Sequence, residues 1–187
     1  ILGFVIGVCN GFAIPIAQLF GARDYKDLRR HVANAAWLCM AASVVLTIST
    51  VALTRPMMQL MQTPDDIIDG AVIYIGWIFA GIPFIFLYNM VAAIMRALGD
   101  SKTPVIFLVF SAVLNIILDF VLIQGLKIGV AGAAVATDIS QLVSGVACLI
   151  YMNKRYEVLK LSAKDRRAGK RYMINLCMNG IPMGLQY

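Results

Sequence analysis

Apolar residues fill six long segments of the sequence, and charged residues gather in the short stretches between them. The segments are Ile1–Phe20, Val32–Leu53, Ala71–Met95, Val105–Ile123, Val130–Met152 and a last one that opens at Tyr172. Their lengths are near the roughly 20 residues with which an α-helix crosses a bilayer. A membrane β-barrel would instead show alternating strands of about ten residues. The pattern therefore predicts an all-α integral membrane protein.

Composition supports this prediction. The 187 residues are 60% hydrophobic and 14% charged, whereas a soluble domain has about 45–50% apolar and 25% charged residues. The net charge of +6 comes from short loops that would face anionic lipid headgroups. Binding to the lipid bilayer explains this excess, and nucleic-acid binding is not expected.

The cysteines and the single histidine give no sign of a metal site. Cys9, Cys39, Cys148 and Cys177 lie in apolar segments without C-x-x-C spacing, which argues against metal binding and against a disulfide framework. We expect them to be packing residues. His31 lies in a basic stretch with no ligand partner at a suitable spacing, so a solvated loop histidine is predicted.

Proline and threonine predict where helices begin and bend. Thr63-Pro64 and Thr103-Pro104 place a hydroxyl before a proline, which predicts capped helix starts at both points. Pro15, Pro83 and Pro182 lie inside apolar segments. A proline there frees a backbone carbonyl, so kinks are predicted.

Lysine and arginine predict the orientation in the membrane, because cytoplasmic loops are rich in them. Only Arg55 and Lys127 lie on one side, and that side also carries acidic residues. The other side holds Arg23, Lys26, Arg29, Arg30, Arg96, Lys102, Lys154, Arg155, Lys160, Lys164, Arg166, Arg167, Lys170 and Arg171. This second side is predicted to be cytoplasmic. Its stretch 153–171 is the longest and most basic, as expected of a linker between two helical bundles.

Two aspartates, Asp119 and Asp138, remain inside apolar segments. A carboxylate at the centre of a membrane helix costs about 2.5–3.5 kcal/mol on insertion scales. It therefore needs a partner, a proton or a wet cavity, and ion or proton handling is the default hypothesis for such a residue. Asp138 points about 100° away from its neighbour Thr137 around the helix, so its role stays open.

Polar residues form one face on each of two successive helices. Ser111, Asn115 and Asp119 are spaced four apart, and the next segment carries Thr137, Gln141, Ser144 and Cys148 at i, i+4, i+7 and i+11. Asn115, Asp119 and Thr137 fall at similar depth in the outer half, so the faces could meet there. Such hard oxygen ligands suit a small alkali cation, and the carboxylate could take a proton instead. Asn115 and Thr137 could also simply hold helices together.

Aromatic residues recur along the third segment, which carries Tyr74, Trp77, Phe79, Phe84, Phe86 and Tyr88. Most such side chains contact lipid or core. Tyr74 lies at the depth of the polar faces, so it is a candidate for lining a cavity that accepts flat lipophilic cations.

Four stretches carry a resemblance to a known family. They are AQLFGA at 17–22, MRALGDSKTP at 95–104, LNIILD at 114–119 and GAAVAT at 132–137. Together and in this order they resemble the multidrug and toxic compound extrusion family, MATE, in its prokaryotic DinF-like branch. The resemblance implies twelve helices in two lobes of six. The chain would then hold helices 2 to 6 at 1–152, without helix 1, the cytoplasmic linker at 153–171 and the start of helix 7 at 172–187.

The resemblance also implies a function. Asn115, Asp119 and Thr137 match the branch's cation site, with Tyr74 beside the cavity, while Asp138 lies outside the pattern. A secondary antiporter of the bacterial inner membrane is expected, exporting lipophilic or cationic drugs in exchange for Na⁺ or H⁺. No other cofactor and no enzymatic activity are expected, and no Walker-type ATP-binding motif occurs in the sequence.

Two alternatives remain open at this stage. A lipid-linked saccharide flippase of related two-lobe architecture would be expected to line its cavity with cationic residues. An intramembrane enzyme would use Asp119 and Asp138 as a dyad, which requires their carboxyl groups to lie within hydrogen-bond distance.

Overall fold

A computed structural model gives the fold and describes residues 2–125, 129–161, 165 and 167–186. Lys127, Lys164 and Arg166, which the orientation argument used, lie outside the described residues. The helices are α1 Leu2–Gly21, α2 Tyr25–Leu60, α3 Asp65–Ala80, α4 Ile82–Ala97, α5 Lys102–Asp119, α6 Val130–Arg155 and α7 Lys170–Leu185. A π-helical segment, Phe120–Gly125, follows α5, and a 3₁₀ turn, Glu157–Leu159, follows α6.

Five stretches of helix within the described ranges are long and apolar enough to cross a membrane. They are Leu2–Gly21, Tyr25–Leu60, Ile67–Ala97, Lys102–Gly125 and Ala131–Arg155. The predicted all-α membrane architecture is confirmed. The predicted linker is partly helical at its ends, because α6 continues to Arg155 and α7 begins at Lys170.

Helix α2 is longer than its apolar segment, and this corrects two predictions. The Asp24 carboxylate accepts a hydrogen bond from the backbone N–H of Asp27 at 3.2 Å and so caps α2. The helix therefore begins at Tyr25, seven residues before Val32. Lys26, Arg29 and Arg30 therefore lie in the first turns of α2 and not in a loop. The prediction of a solvated His31 was also wrong.

His31 is only 6% exposed because two helices enclose it. Its Nδ1 lies 2.9 Å from the carbonyl oxygen of Asp27. Its ring packs edge-on against Tyr172 of α7, with ring centroids 5.0 Å apart. The burial thus depends on a contact between residues far apart in the sequence.

The predicted threonine caps were wrong at both helix starts. Helix α3 begins at Asp65, with Pro64 at the capping position and no capping side chain, and the Thr63 hydroxyl instead lies 3.8 Å from the Met58 sulfur. Helix α5 begins before Thr103, so this residue is already inside the first turn. The carboxylate of Asp100 accepts its backbone N–H at 3.0 Å.

One membrane crossing is broken in the middle. Helices α3 and α4 are separated by Gly81, two residues before Pro83, which agrees with the bend predicted there. Pro15 and Pro182 lie inside continuous helices. Helix α7 stays continuous although Gly180 stands two residues before Pro182 as Gly81 does before Pro83, so this pair of residues does not by itself explain the break.

The core forms where α1 and α4 contact each other and where α6 packs on α4. Val5, Ile16, Phe86 and Met95 are among its buried side chains. Cys9, Cys39 and Cys148 are also buried, as predicted for packing residues. Helix α5 packs mainly on α6, whereas α3 packs on α2 and α6, and its Cα atoms do not come within 8 Å of those of α5 in the part of the chain that the structure describes. The seam between α5 and α6 is where the polar faces meet.

Candidate cation site on helices α5 and α6

The two polar faces meet at Asn115 and Thr137. The side-chain amide of Asn115 donates a hydrogen bond to the Thr137 hydroxyl oxygen at 3.3 Å. The Thr137 hydroxyl in turn donates to the backbone carbonyl of Ala133 at 3.0 Å, one turn back on α6. The contact uses the amide nitrogen of Asn115, so the amide oxygen and a lone pair of the Thr137 hydroxyl are not engaged by it.

Asp119 lies one turn beyond Asn115 and is the last residue of α5. The chain then changes to the π-helical segment, an irregularity that is frequent at functional sites. Asp119 is half-buried, and its Oδ1 is fully screened from solvent without a hydrogen-bond partner among the described residues. A buried acceptor left unpaired costs about 1–3 kcal/mol, and more when it is charged. A proton or a bound cation would remove this cost.

Tyr74 is half-buried on α3. Helix α3 packs on α6, and its Cα atoms do not come within 8 Å of those of α5 among the described residues, so no described backbone approach brings Tyr74 to Asp119 and Asn115. Its place beside a substrate cavity stays a prediction.

Asp138 belongs to a different contact. It is 8% exposed, and its carboxyl group packs against the backbone of Gly81 at the break between α3 and α4. No hydrogen bond joins it to Asp119 in the described part of the chain. The two carboxyl groups therefore do not form the dyad that the intramembrane-enzyme alternative requires.

Two further polar residues lie on the Thr137 face of α6. Gln141 Oε1 and Ser144 Oγ are buried and have no hydrogen-bond partner among the described residues. The helical spacing predicted that they share this face, yet it gave them no role. Spacing shows only which face a residue occupies, whereas their unsatisfied state depends on the surrounding helices.

The donor set at the α5–α6 seam consists of one carboxylate and neutral oxygens. The described residues contain no group of three or more His, Cys, Asp or Glu side chains that could hold a metal ion. Oxygen ligands of this kind suit hard cations and not soft transition metals. The seam therefore presents the donor types that a small alkali cation prefers, and a carboxylate such as Asp119 is also a proton acceptor.

Comparison of sequences relates the chain to multidrug exporters. The sequence profile of the MatE family matches residues 1–121. The probable multidrug resistance protein YoeA of Bacillus subtilis is 32% identical over 192 residues, which cover 99% of this chain and 42% of YoeA. The multidrug export protein MepA of Staphylococcus aureus is 26% identical over 97% of this chain and 40% of MepA.

Solved structures of this family share the fold. An inward-facing multidrug resistance MATE family transporter of the MOP superfamily matches with a TM-score of 0.90 and 25% identity, over 98% of this chain and 42% of its own. A MOP superfamily transporter from Pyrococcus furiosus, described as having a binding pocket of reverse polarity, matches with a TM-score of 0.88 and 26% identity over 98% and 41%.

The chain spans about two fifths of the length of these relatives. The family profile nevertheless covers well over half of the chain, and YoeA aligns along almost all of it. The five membrane-crossing stretches and the shared fold agree with this relationship. The chain belongs to the MatE family of multi-pass membrane transporters.

Proposed function

We propose that this chain provides the cation-coupling part of a transporter that exports lipophilic, often cationic, drugs in exchange for Na⁺ or H⁺. The observation that carries the proposal is the buried Oδ1 of Asp119, which has no hydrogen-bond partner among the described residues. It lies one turn from Asn115, which is bonded to Thr137. The drug-export part of the proposal is supported by the relatives named as multidrug resistance or export proteins.

The coupling follows from the charge of Asp119. An inward-moving cation that binds at Asp119, Asn115 and Thr137 neutralises the carboxylate and draws α5 and α6 together at their seam. This bound state favours the conformation that releases drug to the outside. One charge crossing the membrane potential supplies about 2.3 kcal/mol per 100 mV, enough for a nearly fiftyfold concentration gradient.

Basic residues support the proposed orientation in a bacterial inner membrane. The described cations at the ends of α4 and α6 and at the starts of α2 and α7 all belong to the side predicted to be cytoplasmic. In this orientation α5 runs outward and Asp119 lies near its outer end, where it meets cations entering from outside.

The test compares wild type with Asp119→Asn in the full-length protein. Cells or vesicles are loaded with a fluorescent dye that serves as the drug, and a Na⁺ or H⁺ gradient is imposed. Efflux of the dye is followed by fluorescence. Asp119→Asn is expected to lower gradient-driven efflux at least tenfold, because the amide cannot take up a cation's charge. Asp69→Asn makes the same change at an exposed residue and should transport normally. Undiminished, gradient-dependent efflux by Asp119→Asn would refute the coupling role.

The flippase alternative receives less support from the described residues. A phosphate-bearing substrate calls for lysine or arginine inside the cavity. Here the one arginine near the outer end of a membrane helix, Arg55, is exposed and lies 3.5 Å from Asp69. The other described lysines and arginines lie at helix ends, in turns or in the linker.

A further inference from the structure

Ser144 has an unusual environment for a hydroxyl in a helix. Its side chain is fully buried, and its Oγ has no hydrogen-bond partner among the described residues. Gln141, one turn earlier on α6, has a buried Oε1 that likewise has no partner in the described part of the chain. A buried polar group without a partner costs about 1–3 kcal/mol, so two such groups on one helix face call for an explanation.

Three other buried hydroxyls, on α2 and α6, are satisfied locally, as is usual for Ser and Thr, whereas Thr47 Oγ1 of α2 is, like Ser144 Oγ, without a partner among the described residues. Ser43 donates to the carbonyl of Met40 at 2.8 Å, Thr54 donates to that of Thr50 at 2.7 Å, and Ser140 donates to that of Thr137 at 2.9 Å. Ser144 makes no such bond. Its hydroxyl is therefore available to a ligand in both its donor and its acceptor roles.

Gln141 and Ser144 lie on the same face of α6 as Thr137, at increasing distance from the first site. Gln141 and Ser144 follow Thr137 by four and seven residues, which places them about 6 and 10 Å farther along the helix axis on the same face. This direction leads toward Arg155, the end predicted to be cytoplasmic. The polar face stops at Cys148, whose sulfur lies 3.5 Å from that of Met95.

We propose that Gln141 and Ser144 form a second, inner binding position for the coupling cation, reached after it leaves Asp119, Asn115 and Thr137. The proposal rests on the proposed function. Its ligands are neutral oxygens, which suit either an alkali ion or a protonated water. Without a carboxylate, this position binds more weakly than the first. Weak binding suits a position of passage, because conduction requires that an ion can leave each position it enters.

The proposal is tested by removing these oxygens with little change in volume. Ser144→Ala and Gln141→Met are introduced into the full-length protein, and initial efflux rates are measured against external Na⁺ and, separately, external H⁺. The half-saturating cation concentration should stay within about twofold of wild type, because the first position is intact. The maximal rate should fall at least fivefold under the gradient of the true coupling ion. Ser144→Thr keeps the hydroxyl and should restore the rate.

Ser140→Ala is the matched control, since its hydroxyl is bonded within its own helix. It should leave both the maximal rate and the cation dependence unchanged. If Ser144→Ala and Gln141→Met keep the full maximal rate while Asp119→Asn is inactive, the proposed inner binding position is refuted. The proposed function is then still supported. A loss shared with Ser140→Ala and matched by a lower thermal midpoint would assign these residues to packing and also overturn the inner position. Normal coupling in Asp119→Asn would refute both proposals.

Discussion

Gly81 and Asp138 show how tightly single residues determine the packing of α6 on the broken helix. A β-carbon built on Gly81 would overlap the Asp138 carboxyl group. The backbone of Gly81 has φ of −75° and ψ of −7°, a conformation that alanine adopts without strain. The glycine is therefore required by the contact and not by the backbone.

Gly81→Ala is expected to destabilise the protein by about 1–3 kcal/mol, the usual cost of overpacking. The thermal unfolding midpoint of the detergent-purified protein measures this loss. Adding Asp138→Ala should recover much of the stability, because it removes the group that the new methyl meets.

Gly76→Ala is the control for this pair. Gly76 lies in the same broken crossing, and no described residue lies within 4 Å of a β-carbon built there. Alanine should raise stability slightly at that position, by about 0.5–1 kcal/mol, because it lowers the entropy cost of the helix. Equal midpoints for Gly81→Ala and Gly76→Ala would show that the contact with Asp138 is not tight.

Single residues also show what the sequence could and could not predict. The meeting of Asn115 and Thr137 was predictable, because helical periodicity fixes the face of each residue and the order of neighbouring helices fixes its depth. The burial of His31 was not, because it depends on Tyr172 of α7. Local pattern carries no information about a contact between residues so distant in the chain.

At the scale of the helices, Asp100 ties the start of α5 to the end of α6. Its carboxylate accepts the backbone N–H of Thr103 at 3.0 Å and the Thr103 hydroxyl at 2.7 Å. The Tyr156 hydroxyl donates to the same carboxylate at 3.2 Å. These bonds, led by the Thr103 backbone N–H, hold the pKa of Asp100 below its ordinary value. Burial and the bond to Asp100 raise the pKa of Tyr156.

Asp100→Ala is expected to lower the thermal midpoint at neutral pH, since losing a capping side chain costs about 1 kcal/mol. The stabilisation is complete above the pKa that Asp100 has in the unfolded chain. It is lost as the pH falls through the lower pKa of the folded state. The difference in thermal midpoint between wild type and Asp100→Ala should therefore become smaller in the acid range. Scanning fluorimetry from pH 7 downward would measure this difference.

Ser101→Ala provides a control beside it. Ser101 occupies the capping position of α5, yet its side chain makes no capping hydrogen bond. Its replacement should change the midpoint little at any pH. If the thermal midpoints of wild type and Asp100→Ala differ by a constant amount down to strongly acid pH, the role of the ionised carboxylate is contradicted.

The helices were predicted more completely than their ends. Long apolar segments fix where a chain can cross a bilayer, so all five crossings were predictable. Their ends depend on which polar groups reach the first backbone N–H groups. Asp24 and Asp100 serve in this way, and the threonines next to Pro64 and Pro104 do not. Only the three-dimensional arrangement distinguishes the polar residues that cap a helix from those that do not.

At the scale of the whole molecule, the linker and α7 are fastened to the first two helices. Asn34 of α2 is fully buried and accepts the backbone N–H of Gly169 at 2.8 Å. Arg29 lies 3.5 Å from Asp165. These contacts hold the segment before α7 against the Tyr25 end of α2. The sequence predicted a linker in this region, but it did not predict where the linker would lie.

Helices α1 and α7 contact each other through glycines in an antiparallel arrangement. A β-carbon on Gly7 would lie 2.7 Å from the Cα of Gly184, and one on Gly11 would lie 2.6 Å from the Cα of Gly180. Small residues at this spacing let two membrane helices approach closely. The distance between α1 and α7 is limited here by backbone atoms. Backbone atoms cannot move aside as the end of a flexible side chain can.

Gly11→Ala is therefore expected to push α7 away from α1 and to loosen the adjoining linker. A loss of 1 kcal/mol or more in this contact raises the opened population about fivefold or more, and proteolysis follows that population. Trypsin should then cut after Arg167, Lys170 and Arg171 at least about fivefold faster in the full-length variant than in wild type. Gly21→Ala changes a glycine of α1 whose added β-carbon would meet no atom of the described residues within 4 Å, and it should leave cleavage unchanged. Equal rates in Gly11→Ala and Gly21→Ala would mean that this glycine contact does not hold α7 in place.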